Sequence, residues 1–369
     1  MLRFLFIFIL FIHGIIHFMG FAVEWDLAEI SQLSGRPLLP LSGAVARGVG
    51  LLWLLAGLGF VAAAAGYLLR KEGWWTVALA GLVLSQVLII LYWPDAKAGT
   101  IANLIVLLVA LPAYGDWSMA RRGARAAAGL RAALSSEKRA LVTEAMLSDL
   151  PAPVQRWLRR AGIVGRYQTR VVRLQQKGLM RTKPEQGWMP TKAEQLFTVD
   201  QPGFVWEAHV RMMPLVYFKG IDQYHAGEGR MVIKLLSLIP VVDAVGPKID
   251  QGTMLRFLGE LIWFPSAALS PYLTWKALDA NRARATMTYQ GRTVSGVFEF
   301  NAEGDFVSFR CDRYYGGEES SKLEKWYIPA TAWGAPGGVR IPTTGDVIWE
   351  LEAGDFKYYR WEIAKVAYE

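Results

Sequence analysis

Residues 282–300 read Arg-Ala-Arg-Ala-Thr-Met-Thr-Tyr-Gln-Gly-Arg-Thr-Val-Ser-Gly-Val-Phe-Glu-Phe, and the alternation in this stretch decides the architecture of the C-terminal part of the chain. Arg282, Arg284, Thr286 and Thr288 are polar, while Ala283, Ala285, Met287 and Tyr289 between them are apolar or aromatic. Side chains of a strand point to opposite faces in turn, so a period of two marks a strand buried on one face. Gln290-Gly291 then turns the chain, and the return run places Val294, Gly296, Phe298 and Phe300 on one face. Working outward, Asn301-Ala302-Glu303-Gly304 predicts the next turn and Phe306 to Arg313 the next strand. Val347 to Glu352 and Phe356 to Tyr368 form another hairpin around Ala353-Gly354-Asp355. Comparable runs at 168–181, 192–199, 203–213, 215–224 and 229–236 bring the total near a dozen. Short loops between consecutive strands require an antiparallel meander, and that many strands must curve, close or split.

One long helix interrupts the strands. Asp250 is expected to cap it, Met254, Leu255, Leu258, Leu261 and Ile262 line its apolar face, and Pro265 ends it. Thr253, Arg256 and Glu260 are spaced three and four apart and share the opposite face. A single helix in the concavity of a strongly curved sheet is the construction of several lipid-carrier folds, an analogy of fold only.

The N-terminal part has a different composition. Residues 4–23, 44–69, 74–93 and 98–115 are apolar runs with few charges. Each is long enough to cross about 30 Å of hydrocarbon at 1.5 Å per residue. Four transmembrane helices follow. Arg3 before the first run suggests a signal peptide, but the apolar core is too long and Gly20-Phe21-Ala22 is a poor cleavage site, so the segment reads as a retained anchor. The lone Cys311 excludes an internal disulfide.

Charge is distributed unevenly. Residues 117–173 hold 12 basic and 3 acidic side chains, while the flanking parts are close to neutral. Arg3, Arg70, Lys71, Arg121, Arg122 and Arg125 fall on one side of the four apolar runs. The other side has Arg36, Arg47 and Lys97, offset by Glu24, Asp26, Glu29 and Asp95. Membrane-flanking Lys and Arg are retained on the cytoplasmic side, so both termini and the β-rich domain are expected to be cytoplasmic, at a bacterial inner membrane.

From Trp117 to Leu134 the Ala-rich chain predicts a helix with Arg121, Arg122, Arg125 and Arg131 within half a turn of one another, and Met119, Ala126, Leu130 and Leu134 on the other side. Such a helix lies in the membrane interface with its arginines on lipid phosphates, or packs its apolar side on the following domain. Nucleic acid is a weaker reading, because the arginines have no interleaved aromatics. A second helix is expected from Ser136 to Leu147, then a break at Leu150-Pro151-Ala152-Pro153, and a third helix from Val154 to Ala161. The expected domains are therefore 1–116, a helical linker 117–149, and 150–369.

Several strings resemble those of an uncharacterised bacterial family catalogued as a domain of unknown function. They are Leu150-Pro151-Ala152-Pro153-Val154, Trp188-Met189-Pro190, Gly229-Arg230-Met231 with Lys234-Leu235-Leu236, Ile249-Asp250-Gln251-Gly252-Thr253, Trp263-Phe264-Pro265 and Gly354-Asp355-Phe356. The resemblance spans about residues 145–369 and implies no activity. An acidic residue often stands in that pattern where this chain has Lys248, which weakens a scheme needing a carboxylate pair there.

Candidate chemistry sits in three places. His13 and His17 lie four apart on one face of the first apolar helix. One helix cannot supply both axial ligands of a haem, so they read as interhelical hydrogen-bond formers, with Gln86, Ser85 or Asn103 as partners, or as a metal or quinone contact. Asp222 and His225 precede Gly227-Glu228-Gly229-Arg230, which matches no complete phosphate-loop or zinc pattern and reads as a charged hairpin turn. Within Asp243 to Pro265, Asp250 and Glu260 supply a general acid and base if the helix lines a cleft; otherwise Asp250 caps the helix and Arg256 pairs with Glu260. Nucleophile elbows, Cys-His pairs and nucleotide fingerprints are missing.

The sequence thus predicts an α+β protein. A four-helix transmembrane bundle precedes a curved antiparallel half-barrel with one central helix, which binds a lipid or other amphipathic molecule. Arg256, Glu260 and Lys234 are expected at the ligand's polar head and Trp263, Phe264 and Trp275 along its tail, with no metal or cofactor. The alternatives are an acid-base hydrolase using Asp250 and Glu260, and a protein-docking module.

Overall fold

The computed structural model describes every residue except 31–33, 35, 136 and 137. Two compact units divide the chain, Met1–Ser118 and Met119–Glu369.

The first unit holds helices α1 (Leu2–Glu24), α2 (Gly43–Leu68), α3 (Trp74–Leu91) and the start of α4 (Gly99–Ala132), with a single turn at Trp93–Ala96 between the last two. All four are long and apolar enough to cross a membrane. Phe4, Leu55, Val83, Ile101 and Leu108 point outward from the bundle, an arrangement that water penalises and lipid does not. Small residues bring α1 and α2 together: a Cβ added to Gly14 would stand 2.9 Å from the Gly57 carbonyl oxygen. Helix α4 runs without a break through Trp117, with Pro112 inside it, where two separate helices are expected from the sequence.

In the second unit α5 (Ala152–Ala161) is followed by β1 (Val171–Met180), β2 (Met189–Thr198), β3 (Gly203–Met213), β4 (Val216–His225), β5 (Glu228–Leu235) and β6 (Ile239–Val245). Helix α6 (Pro247–Glu260) and two short helical turns come next. The chain then returns through β7 (Leu273–Ala277), β8 (Arg282–Tyr289), β9 (Arg292–Phe300), β10 (Phe306–Tyr314), β11 (Leu323–Gly334), β12 (Ile341–Leu351) and β13 (Gly354–Tyr368). All the strands form one antiparallel sheet in the order β6-β5-β4-β3-β2-β1-β13-β12-β11-β10-β9-β8-β7. Two meanders thus meet where β1 pairs with β13, and β6 and β7 are the two edges. Helix α6 and the two short turns after it together connect β6 to β7, so this segment must run from one edge of the sheet to the other.

Contacts of α6 with β4, β5, β9 and β10 place it on the concave face, with nearly all its residues buried. Close approach depends on Gly259, where a Cβ would lie 2.9 Å from the Phe309 ring. Around it Phe197, Phe257, Phe264, Phe298 and Phe309 are fully buried and form the centre of the core.

Two local expectations are corrected. Of the helix expected over Ser136–Leu147, residues 136 and 137 lie outside the described residues, 138–143 are not helical, and only Glu144–Leu147 coils, as a 3-10 turn. Tertiary pairing overrides helix propensity here: Val142 exchanges backbone hydrogen bonds with Gly165 and Arg166, and Leu141 bridges to Tyr167. Asp250 does not cap α6, which begins at Pro247 after Gly246. Its carboxylate instead accepts the Gly229 N–H at 2.7 Å and pairs with Arg292 at 2.7 Å, tying the helix to β5 and β9.

Candidate functional site

Between the C-terminal half of α6 and the concave sheet lies a cavity of about 520 Å³, within the size range of small-molecule sites. Strand alternation builds it. On β3, Trp206, Ala208 and Val210 face inward; on β4, Phe218, Gly220 and Asp222; on β5, Met231 and Ile233. Tyr359 and Trp361 of β13, Trp326 and Ile328 of β11, and Ile262 and Trp263 after α6 complete an apolar, largely aromatic wall.

A charged cluster lies in that wall. Arg256 Nη1 meets Asp222 Oδ2 at 2.6 Å and Arg256 Nε meets Glu260 Oε1 at 2.9 Å. The guanidinium also lies over the rings of Phe204 (5.0 Å) and Trp206 (4.7 Å). Beyond Glu260 the hydrogen bonds continue: Gln195 Nε2 donates to Glu260 Oε2 (2.8 Å), Gln176 Nε2 to Gln195 Oε1 (3.4 Å), and Trp206 Nε1 to Gln176 Oε1 (3.0 Å). Burial pushes the Glu260 carboxyl up, against the pull of Arg256. Burial also disfavours charge on Arg256, but Glu260 and Asp222 outweigh it and raise the guanidinium's pKa. The cluster is thus one cation shared by two carboxylates, one of them biased toward its neutral form.

Three polar atoms of the lining are buried without a partner among the described residues: Asp222 Oδ1, Trp263 Nε1 and Tyr359 Oη. Burial raises the Tyr359 pKa, so the phenol keeps its proton. An unmade hydrogen bond in a buried site costs about 1–3 kcal/mol, which a molecule entering the cavity recovers.

Arg313 stands where this cavity adjoins a second, more polar recess of about 1030 Å³. Its guanidinium lies 4.4 Å from the Trp326 ring centre and 5.8 Å from that of Trp349, and it forms no ion pair among the described residues. The recess adds Lys322, Glu318, Glu324 and Lys248. Lys248 holds the loop above it by donating to the carbonyls of Glu318 (3.0 Å) and Ser321 (2.9 Å).

Of the six residues expected to hold a ligand, Arg256, Glu260 and Trp263 line the cavity. Lys234, Phe264 and Trp275 do not. Lys234 is next to Ile233, whose side chain faces inward, so its own side chain takes the other face of β5. Phe264 is fully buried against Phe197 and Phe257. Trp275 packs on Trp157 and Phe298 and donates to the Ala268 carbonyl. Asp250 and Glu260 are ten residues apart on α6, about 15 Å along the axis, and Asp250 is outside the cavity lining, so the two carboxylates do not converge. Asp222 and His225 also separate, since His225 is exposed at the end of β4. Tyr359, Trp206 and Arg313 are site residues without a counterpart in the sequence analysis, and Asp222, singled out there only beside His225 in a charged turn, joins them.

The basic helical stretch packs on the convex side of the sheet. Met119 and Leu130 of α4, with Ala126, meet Val205, Ile221 and Val232, and Gly123 lies so close to Glu207 that no side chain fits between. Arg121, Arg122 and Arg125 face outward, and Arg131 pairs with Glu369 at 3.4 Å. Of the two readings of this helix, the apolar side is covered by the domain and not free for lipid.

A curled antiparallel sheet, crossed by one helix and holding an apolar cavity with a buried ionic cluster, defines a half-barrel joined to a block of membrane-length helices. Residues 140–361 match the model of a family of unknown function, DUF6544, and the chain belongs to that family. No curated protein matches it. Among solved structures it is similar to a LolA superfamily protein from Nitrosomonas europaea, at 10% identity over 58% of this chain and 93% of that one, with a TM-score of 0.34. It is also similar to a domain described as an outer membrane lipoprotein-sorting protein from Vibrio parahaemolyticus, at 9% identity over 54% and 86%, with a TM-score of 0.31.

Proposed function

We propose that the half-barrel binds a lipid or other amphipathic molecule whose apolar part fills the cavity beside α6. The observation that carries this reading is the cavity itself: about 520 Å³, apolar on most of its wall, with Trp263 Nε1, Tyr359 Oη and Asp222 Oδ1 buried and unmatched. The charge of Arg256 is already balanced by two carboxylates, so an anionic head has little to gain there. Arg313 at the junction with the outer recess is the better partner for an anionic head, with the tail inward. Hydrolysis has weaker support, because Asp250 is committed to Gly229 and Arg292.

The four helices are read as a multi-pass anchor in the inner membrane, with both termini and the half-barrel on the cytoplasmic side, as the flanking charges favour. Arg121, Arg122 and Arg125 then lie near anionic headgroups.

The test uses the full chain purified in a mild detergent. Native mass spectrometry should find a co-purified lipid, and oleoyl lysophosphatidylglycerol should raise the melting temperature of the β-rich unit saturably. Ala208→Phe, which places a ring in the cavity, should abolish both effects while the chain stays folded. No bound lipid and no lipid-dependent shift in the parent protein would refute the reading.

A further inference from the structure

The membrane-length helices hold a further cavity, of about 280 Å³, lined by His13, His17, Glu24, Trp53 and Tyr92 with apolar and small residues between them. Its polar groups define a ligand. The His13 carbonyl only accepts, so His17 Nδ1 donates to it (2.7 Å), and a neutral His17 then accepts the Ser85 hydroxyl at Nε2 (2.8 Å). Ser85 Oγ in turn accepts from Asn103 Nδ2 (3.1 Å), whose second hydrogen goes to Gln86 Oε1 (3.0 Å), and Asn103 Oδ1 accepts His13 Nε2–H (2.9 Å). Every group in this ring is satisfied with both imidazoles uncharged, as the apolar surroundings require.

Three groups are left over. Closing the ring makes His13 Nδ1 a bare acceptor, with no hydrogen bond among the described residues. Trp53 Nε1 is a donor, buried at 6% exposure and without a partner among the described residues. Glu24 accepts the Tyr92 hydroxyl at 2.7 Å and forms no ion pair among the described residues. Among the described residues no Lys or Arg lines the cavity, while Glu24 does, so nothing in that lining pairs with a phosphate or carboxylate head. A carbonyl would satisfy Trp53 but not His13, and an ammonium would satisfy the acceptors but not Trp53. A hydroxyl both accepts and donates, and the aromatic walls of Trp53 and Tyr92 suit a ring.

We propose that this cavity binds the hydroxyl-bearing ring of a lipid-soluble phenol or quinol, which accepts from Trp53 Nε1 and donates to His13 Nδ1 or Glu24. The site is independent of the half-barrel cavity.

The experiment uses the full chain in nanodiscs under anaerobic conditions, with trimethylhydroquinone as the probe in equilibrium dialysis. Its dimethyl ether, which has no hydroxyl to donate, and benzyltrimethylammonium are the comparisons. Saturable binding of the quinol is expected, weakened roughly tenfold or more in the ether. Trp53→Phe should weaken quinol binding by about five- to tenfold, while Trp263→Phe in the other cavity should leave it unchanged. Equal binding of quinol and ether, preference for the cation, an unaffected Trp53→Phe, or loss in Trp263→Phe instead would overturn the proposal. Should Trp53→Phe fail to fold by gel filtration, the comparison of quinol with ether on the parent protein decides alone.

Discussion

Replacing Arg256 with Met removes the cation that pairs with both Asp222 and Glu260 and leaves the two carboxylates facing the same space. Side-chain exposures are 13% for Arg256, 7% for Asp222 and 10% for Glu260, so water screens little of the change. Breaking one partner out of a buried ion pair costs about 3–5 kcal/mol, because the remaining charge stays desolvated. The contacts over Phe204 and Trp206 are lost as well, about 1 kcal/mol more at most. For a unit of this size each kcal/mol corresponds to about 2–4 °C, giving a fall of roughly 6–24 °C in melting temperature.

The loss depends on pH with a definite sign. Burial already raises the Glu260 pKa in the parent, and without Arg256 the opposing pull disappears, so it rises further. A carboxyl with a folded-state pKa above its unfolded value binds more protons when folded, so its stability contribution is present at low pH and lost as pH rises through the folded pKa. Arg256→Met should therefore be worse at pH 8 than at pH 5, recovering about 1.4 kcal/mol per pH unit while one carboxyl takes up its proton. Adding Glu260→Gln to Arg256→Met should flatten the profile and return part of the stability. The assay is thermal melting of the full chain in detergent, followed by the far-ultraviolet circular dichroism of the sheet. A melting temperature within about 1 °C of the parent at pH 8, below the magnitude expected for any buried pair, would refute the reasoning, and so would a slope of the opposite sign.

Tyr359→Phe removes a buried hydroxyl that has no partner among the described residues, so the ligand-free protein should melt at the same temperature or slightly higher, while oleoyl lysophosphatidylglycerol binding weakens by up to about tenfold in a thermal-shift titration. Gly259→Ala presses a methyl group against the Phe309 ring and should destabilise the β-rich unit by about 1–3 kcal/mol, measured as a lowered melting temperature. Protease added outside intact spheroplasts should leave the region after Met119 uncut; trimming of that region would reverse the proposed orientation.

Much of the fold was legible because local signals and tertiary contacts agree. The hairpin at 282–300 forms with the register its alternation implies, Tyr289 opposite Arg292, and Gln290 and Gly291 both adopt the positive φ that such a turn needs. Three strands were not read, each for a local reason. Ile239–Val245 carries Pro240 at a sheet edge, Leu273–Ala277 has only five residues, and Leu323–Gly334 contains Pro329 and slips register beside it. For the site, proximity in sequence to α6 misled. Phe264 and Trp275 follow the helix closely, but Pro265 starts a further turn that leads the chain to the filled side of the core. Tyr359 lies far in sequence from Trp206, Gln176 and Arg256, and only the pairing of β1 with β13 brings these strands together. A pattern confined to one strand has no signal for that.

The position of the cavity follows from one row of cross-strand neighbours. In register, Gln176 of β1 stands opposite Ala193 of β2, Ala193 opposite Ala208 of β3, Ala208 opposite Gly220 of β4, and Gly220 opposite Ile233 of β5. The inner face in this row has side chains of one carbon or none at its centre. Nearer the start of α6 the corresponding inward residues are Phe204 and Tyr224, both fully buried, and there the sheet and helix are in contact. On the β8–β10 side Phe298, Phe300, Phe306 and Phe309 fill the same depth. A helix pinned to strands of both meanders cannot sink toward the small residues, because Asp250 holds its start to β5 and β9 and the Gly259–Phe309 contact sets its height. The void is therefore a product of side-chain size along one row under a fixed span. At its polar margin β4 and β13 place Asp222 Oδ1 and Tyr359 Oη, which have no partner among the described residues.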